Sequence, residues 1–104
     1  MRTADVLLNG KKVGNLAEII YQERYEFDYC AGYSGPPISL TMPVSNQLFT
    51  YDRFPPFFDG LLPEGIMLDG LLRQQKIDTN DYFSQLIAVG NELVGAVSVR
   101  ANNE

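Results

Sequence analysis

Two short β-favouring runs on either side of an Asn-Gly pair predict a β-hairpin near the start of the chain. The pair Asn9–Gly10 lies between two short runs of β-favouring residues, and Asn-Gly tolerates the positive φ angles that a two-residue type I′ turn requires. This turn places Leu8 opposite Lys11. It also places Val6 opposite Val13, so that one face of the hairpin carries an apolar pair.

The strictest alternation in the chain covers residues 21–29 and predicts the third strand. Tyr25, Phe27 and Tyr29 fall on one face, and polar residues occupy the other, as in a half-buried strand. A loop rich in glycine and proline follows. The segment Ile38–Met42 then alternates again and stops at a proline, which cannot donate a hydrogen bond to a sheet. We expect a short fourth strand there.

Helical spacing replaces the alternation in the second half of the chain. Apolar residues at 54–62 recur at i, i+3, i+4 and i+7, which predicts a short first helix ending near Leu62. A second helix is expected from Pro63 to about Gln75. Glu64 lies in its first turn, where a carboxylate interacts favourably with the helix dipole.

A third helix and a closing strand complete the pattern. Asp78 or Thr79 can cap the third helix, and we expect Gly90 to end it in the left-handed conformation. Residues 93–99 favour a strand, and residues 101–104 are expected to fray. The predicted fold class is α+β: a small antiparallel sheet of about five strands, in the chain order β-β-β-β-α-α-α-β, packed against short helices in one domain, 1–104.

Composition narrows the classes of function. The 104 residues are 45% hydrophobic and 20% charged, which is typical of a globular domain. No apolar run resembles a signal peptide or a membrane span, and a single cysteine fits a reducing compartment, so we expect a cytoplasmic protein without a membrane partner. The net charge of −5 argues against direct binding to nucleic acid.

The chain offers few groups for catalysis. It contains no histidine, the commonest general base and metal ligand. Cys30 lacks a basic partner that would activate it. Asp59 with Glu64, and Asp78 with Asp81, are more simply read as acids at helix starts and bends than as a carboxylate pair and a metal site. No nucleotide-binding motif occurs, so we expect no catalytic residue, no cofactor and no metal.

Three motifs carry information that the periodicity does not. They read PISLTMP at 37–43, FFDGLLPEG at 57–65 and GNELVGAV at 90–97. In this order, and after an Asn-Gly hairpin, they resemble the N-terminal subdomain of the HipA family of bacterial serine/threonine kinase toxins. The resemblance covers nearly the whole chain and implies the fold of that subdomain.

The resemblance also implies a function. Full-length HipA toxins continue into a kinase core that these 104 residues do not include, and on this ground we expect a protein that resembles the HipS-type antitoxins of tripartite HipBST systems. The implied role is to bind and neutralise a HipT-type kinase, with a HipB-type DNA-binding protein as a candidate third member of the complex. Two alternatives remain open: a separated N-terminal regulatory lobe of a HipA-type kinase, and an unrelated adaptor whose acidic surface binds a basic protein.

The second predicted helix supplies the candidate contact surface. At 100° per residue, Leu68, Leu71 and Leu72 form a stripe that we expect to be buried, whereas Ile66 points about 160° away. A single exposed isoleucine needs no functional explanation. Its place beside a proline-glycine bend, in a chain whose resemblance implies binding, nevertheless makes Ile66 the candidate anchor. The predicted partner-binding residues are Phe57, Pro63, Glu64, Gly65, Ile66 and Met67.

Overall fold

The fold follows the predicted order of strands and helices. The computed structural model describes residues 1–93 and 95–102. Within them the elements are β1 (Arg2–Leu8), β2 (Lys11–Ile20), β3 (Arg24–Tyr29), β4 (Leu48–Tyr51), α1 (Pro56–Asp59), α2 (Gly65–Gln75), α3 (Tyr82–Val89) and β5 (Val97–Asn102). The strands form one antiparallel sheet in the order β4-β3-β2-β1-β5. The predicted α+β class is therefore confirmed.

The first hairpin has the predicted turn but a different register. Asn9 and Gly10 have φ angles of 52° and 83°, as a type I′ turn requires, and Leu8 pairs with Lys11. The prediction that Val6 pairs with Val13 is wrong, because a bulge shifts the register and places Val6 opposite Gly14. A bulge adds one unpaired residue to a strand and increases its twist.

The core lies between one face of the sheet and the helices. Tyr25, Phe27 and Tyr29 on β3 are all buried, as the alternation predicts. The ring of Phe58 from α1 packs onto Phe27 with 5.9 Å between the centroids. The strand starts at Arg24 and not at residue 21, because residues 21–23 form a turn.

The fourth strand lies later in the chain than predicted. Residues 38–42 form a turn, in which Met42 N–H donates to the Ser39 carbonyl at 3.1 Å. The Tyr29 hydroxyl accepts from Ile38 N–H at 3.1 Å and donates to the Met42 carbonyl. These local hydrogen bonds replace a sheet ladder. The alternation is therefore misleading as evidence for a strand. It reflects the burial of Ile38 and Met42 on either side of Leu40, which is 96% exposed.

The start of α3 differs from the prediction. Asp81, and not Asp78 or Thr79, is the N-cap, and its carboxylate accepts from Ser84 N–H at 3.1 Å. Asp78 closes the preceding turn by accepting from Asn80 N–H at 2.8 Å. Asp78 thus stabilises the turn before α3, and Asp81 caps the helix itself.

The end of α3 also corrects a prediction. Gly90 has a φ of −56° and is right-handed. Glycine is required there because a Cβ atom would lie 1.8 Å from the Val99 carbonyl oxygen, while Val99 N–H donates to the Gly90 carbonyl at 3.0 Å. The closing strand begins at Val97 and includes Asn102, so the tail expected to fray is partly in the sheet. Val94, Asn103 and Glu104, on which parts of these predictions fall, lie outside the described residues.

Candidate partner-binding surface

The bend before α2 is built by backbone conformation. Glu64 is extended, with φ −130° and ψ 163°, and Gly65 has a φ of +58°, a region that glycine enters without strain. The Leu68 N–H donates to the Glu64 carbonyl at 3.4 Å. The helix therefore starts at Gly65, two residues later than predicted. It ends at Gln75, as predicted, and Lys76 caps it in the left-handed conformation.

Helix α2 lies on the surface with its leucine stripe turned inward. Leu68, Leu71 and Leu72 are half-buried, and no residue of the helix is fully buried. Ile66 is 88% exposed and Met67 75%. The exposure of Ile66 agrees with the angular argument from the sequence. We call Ile66 and Met67 together the α2 knob.

Most of the six predicted contact residues lie together in the chain at this bend. Glu64, Gly65 and the α2 knob are exposed, and Pro63 is half-buried. Phe57 differs from them. Its ring lies on α1, packs edge-to-face on Phe58 with 5.1 Å between centroids, and is a half-buried part of the core's edge.

A groove adjoins the knob, and the sequence pattern did not predict it. This bend groove has a volume of about 310 Å³. Its walls come from the α1–α2 bend and from the end of α3, two segments that are far apart in the chain. Three of its lining residues fall in the motif at 57–65 and two in the motif at 90–97, but neither motif by itself indicates a groove. The lining residues are Gly60, Leu61, Pro63, Met67, Val89, Glu92 and Leu93.

Most charged residues around the knob and groove are acidic. Between residues 54 and 72 the sequence contains three acids, and the nearest basic residues are Arg53 and Arg73 at the borders of this range. Asp59, Glu64, Asp69 and Glu92 are all exposed, and within residues 1–93 and 95–102 none of these carboxylates forms an ion pair. The surface thus combines exposed apolar side chains with an excess of negative charge.

A second polar cluster, which the sequence reasoning missed, ties the start of β1 to α3. The Arg2 guanidinium donates from Nε to Glu18 Oε1 at 2.8 Å and from Nη2 to Asp81 Oδ1 at 2.8 Å. It also lies over the rings of Tyr21 and Phe83, at 5.3 Å and 5.0 Å from their centroids, where a cation is attracted to the face of the ring. We call this cluster the Arg2 clamp.

The Arg2 clamp changes the acidity of Asp81. Burial acts to raise the pKa of this carboxyl, but hydrogen bonds from Arg2 and Ser84 outweigh burial and lower the pKa below its usual value. Asp81 is thus a charged helix cap in an ion pair. Across the part of the chain that the structure describes, no group of three or more cysteine, aspartate or glutamate side chains could hold a metal ion.

No helix within residues 1–93 and 95–102 is long and apolar enough to span a lipid bilayer.

Comparisons with known proteins agree with this fold. A sequence model of the family described as HipA N-terminal domain matches residues 4–100. An uncharacterized protein of Haemophilus influenzae is 32% identical over 104 residues, which is all of this chain and 96% of that protein. A solved structure described as the N-terminal domain of HipA toxin superposes with a TM-score of 0.78 at 28% identity, covering 100% of this chain and 95% of that one.

Proposed function

The chain belongs to the HipA N-terminal domain family, and from that premise we propose that it is an antitoxin. Its target is a HipT-type serine/threonine kinase toxin of a tripartite HipBST system, with a HipB-type protein as a further member of the complex. The family model that matches is that of the N-terminal domain, and the titratable clusters of the structure serve as caps and ion pairs. Both observations favour a binding role over catalysis.

The observation that carries the proposal is the α2 knob. Ile66 and Met67 together expose two large apolar side chains on a helix whose other face is held by leucines. Burial of each such side chain in a partner's pocket gains about 1.5–3 kcal/mol. Interfaces typically depend on a few anchors of this kind surrounded by a polar rim, and here the rim carries Glu64 and Asp69.

Neutralisation in this proposal requires no reaction by the antitoxin. The knob docks on the kinase and holds it inactive by occupying or distorting its active cleft. Because α2 is anchored by the leucine stripe and its bend is set by Gly65, binding orders little additional backbone.

A second candidate function is that of a regulatory lobe. The superposition on the N-terminal domain of a HipA toxin favours it, since such a domain in a full-length kinase would support phosphoryl transfer by the core. The same surface would then contact the kinase, with the opposite effect on activity. Membership of the family removes the interpretation as an unrelated adaptor.

The two functions differ in the sign of their effect on the kinase. A HipT-type kinase toxin should be expressed with and without the chain, and growth should be scored. Phosphoryl transfer by the purified kinase should then be measured as the chain is added. An antitoxin restores growth and lowers transfer, whereas a regulatory lobe leaves toxicity in place and supports transfer.

Ile66→Asp tests the contact surface. Because the side chain is 88% exposed, the free energy of unfolding should change by no more than about 0.5 kcal/mol, as for most surface substitutions, while growth rescue is abolished. Leu40→Asp is the matched control, since Leu40 is 96% exposed and lies in a different segment. This control should rescue growth like the wild type. Unfolding of the Ile66→Asp variant, or full rescue by it, would contradict the assignment.

A further inference from the structure

We infer that the bend groove receives an apolar side chain of the kinase that is flanked by a lysine or arginine. This inference rests on the proposed function and extends it, because it specifies the chemistry of the partner's contact segment. It also makes the interface reciprocal: the α2 knob enters the partner, and the partner enters the groove beside the knob.

The size and lining of the bend groove suit one large side chain. Its volume of about 310 Å³ lies at the lower limit of the range, about 300–1,000 Å³, that holds small-molecule ligands. Leu61, Val89 and Leu93 are half-buried along it, and Met67 is exposed at the side of the knob. Methionine is flexible and adapts to the shape of an incoming side chain.

Both walls of the groove are held by local hydrogen bonds. On one wall, Leu61 N–H donates to the Phe58 carbonyl at 3.0 Å. On the other, Glu92 N–H donates to the Val89 carbonyl at 2.8 Å. A groove that is formed before binding loses little conformational entropy when it is occupied.

The acidic residues at the groove favour a basic residue next to the kinase side chain that enters it. Glu92 lines the groove, and Glu64 directly follows its lining residue Pro63 in the chain. Their carboxylates have no ion-pair partner within residues 1–93 and 95–102. A lysine or arginine beside the incoming side chain would compensate this charge, whereas an acidic segment would be repelled.

The same charges argue against a second copy of this chain as the occupant. A second copy would have to insert its own knob, which is flanked by Glu64 and Asp69, into a groove lined by Glu92. Like charges would then face each other between two molecules that each carry a net charge of −5. We therefore expect the free protein to sediment as a monomer.

Glu92→Lys tests the inference against the purified HipT-type kinase. The side chain is exposed, and the hydrogen bond of Glu92 in the structure is made by its backbone, so the fold should be unchanged. We expect at least a tenfold loss of affinity, since like charges in an interface typically cost more than about 1.4 kcal/mol. Glu23→Lys is the matched control: it changes the net charge equally at an exposed site in the β2–β3 turn and should change affinity less than about twofold.

The outcomes separate this inference from the proposed function. If the wild-type chain does not bind or inhibit the kinase, both are overturned. If Ile66→Asp abolishes binding while Glu92→Lys binds like the wild type, the antitoxin function stands and the occupant of the groove is overturned. Equal losses for Glu92→Lys and Glu23→Lys would show an effect of net charge alone, and a dimer of the free protein would show that a second copy fills the groove. Either result overturns the inference.

Discussion

Replacing Phe27 with alanine removes the ring at the centre of the core. Phe27 is 0% exposed, and its ring centroid lies 4.9 Å from that of Tyr29 and 5.9 Å from that of Phe58. The ring also covers Gly14 on β2, where a Cβ atom would lie 2.6 Å from Phe27 Cζ. The space it leaves is therefore bounded by sheet backbone, which cannot move inward to fill a cavity.

The structure sets the size of the expected loss. Truncation of a fully buried phenylalanine to alanine costs about 3–5 kcal/mol, and the cost increases when the surroundings cannot collapse. We expect a value in the upper half of that range. A domain of this size is stable by about 5–15 kcal/mol, so Phe27→Ala should remove a large share of the total.

Urea unfolding followed by circular dichroism measures the loss. Phe49→Ala is the matched control, because the ring of Phe49 belongs to the same aromatic cluster but is half-buried on the edge strand β4. Its cost should be clearly smaller. A loss below about 1 kcal/mol for Phe27→Ala, or a larger loss for Phe49→Ala, would refute the assignment of the core face.

Two further predictions follow from the backbone and the charges. Gly90→Ala should destabilise the protein by about 1–3 kcal/mol, because the new Cβ would clash with the Val99 carbonyl. Gly70→Ala is the control: it adds a Cβ in open space within α2 and should stabilise the protein by about 0.5–1 kcal/mol. Equal effects of the two substitutions on the free energy of unfolding in urea would contradict this prediction. Because the pKa of Asp81 is lowered in the folded state, its contribution to stability is present above the unfolded value and is lost as the pH falls below about 4. Asp81→Asn keeps a capping side chain but removes the charge. The free energy of unfolding of this variant should therefore depend less steeply on pH in that range than the free energy of unfolding of the wild type. Parallel curves for the two proteins would show that the ion pair contributes nothing to stability.

The features predicted correctly are those fixed by neighbouring residues. The Asn9–Gly10 turn needs only two residues with positive φ angles, and the burial of Phe27 follows from alternation within one strand. The exposure of Ile66 likewise follows from the periodicity of one helix. In each case the local pattern and the tertiary fold agree.

Several errors arise where residues outside the local pattern decide the structure. The segment 38–42 alternates like a strand, but hydrogen bonds of Ile38 N–H and the Met42 carbonyl with the Tyr29 hydroxyl, on β3, help to hold it as a turn. The prediction of a left-handed Gly90 is wrong because the close approach of Val99, on another element, is what requires glycine. The bend groove and the Arg2 clamp each join segments that are far apart in the chain, so no periodicity within one segment could have predicted them.

The order of strands in the sheet affects how the protein is made on the ribosome. The strands β1 to β4 are neighbours in both sequence and space, and they can pair as they emerge, whereas β5 pairs with β1 and is translated last of the five. Until then β1 presents an unpaired edge, and open edges recruit other chains. Ribosome stalling before residue 97 would therefore leave β1 without its β5 partner, and we expect such a nascent chain to aggregate more readily than one that has completed β5.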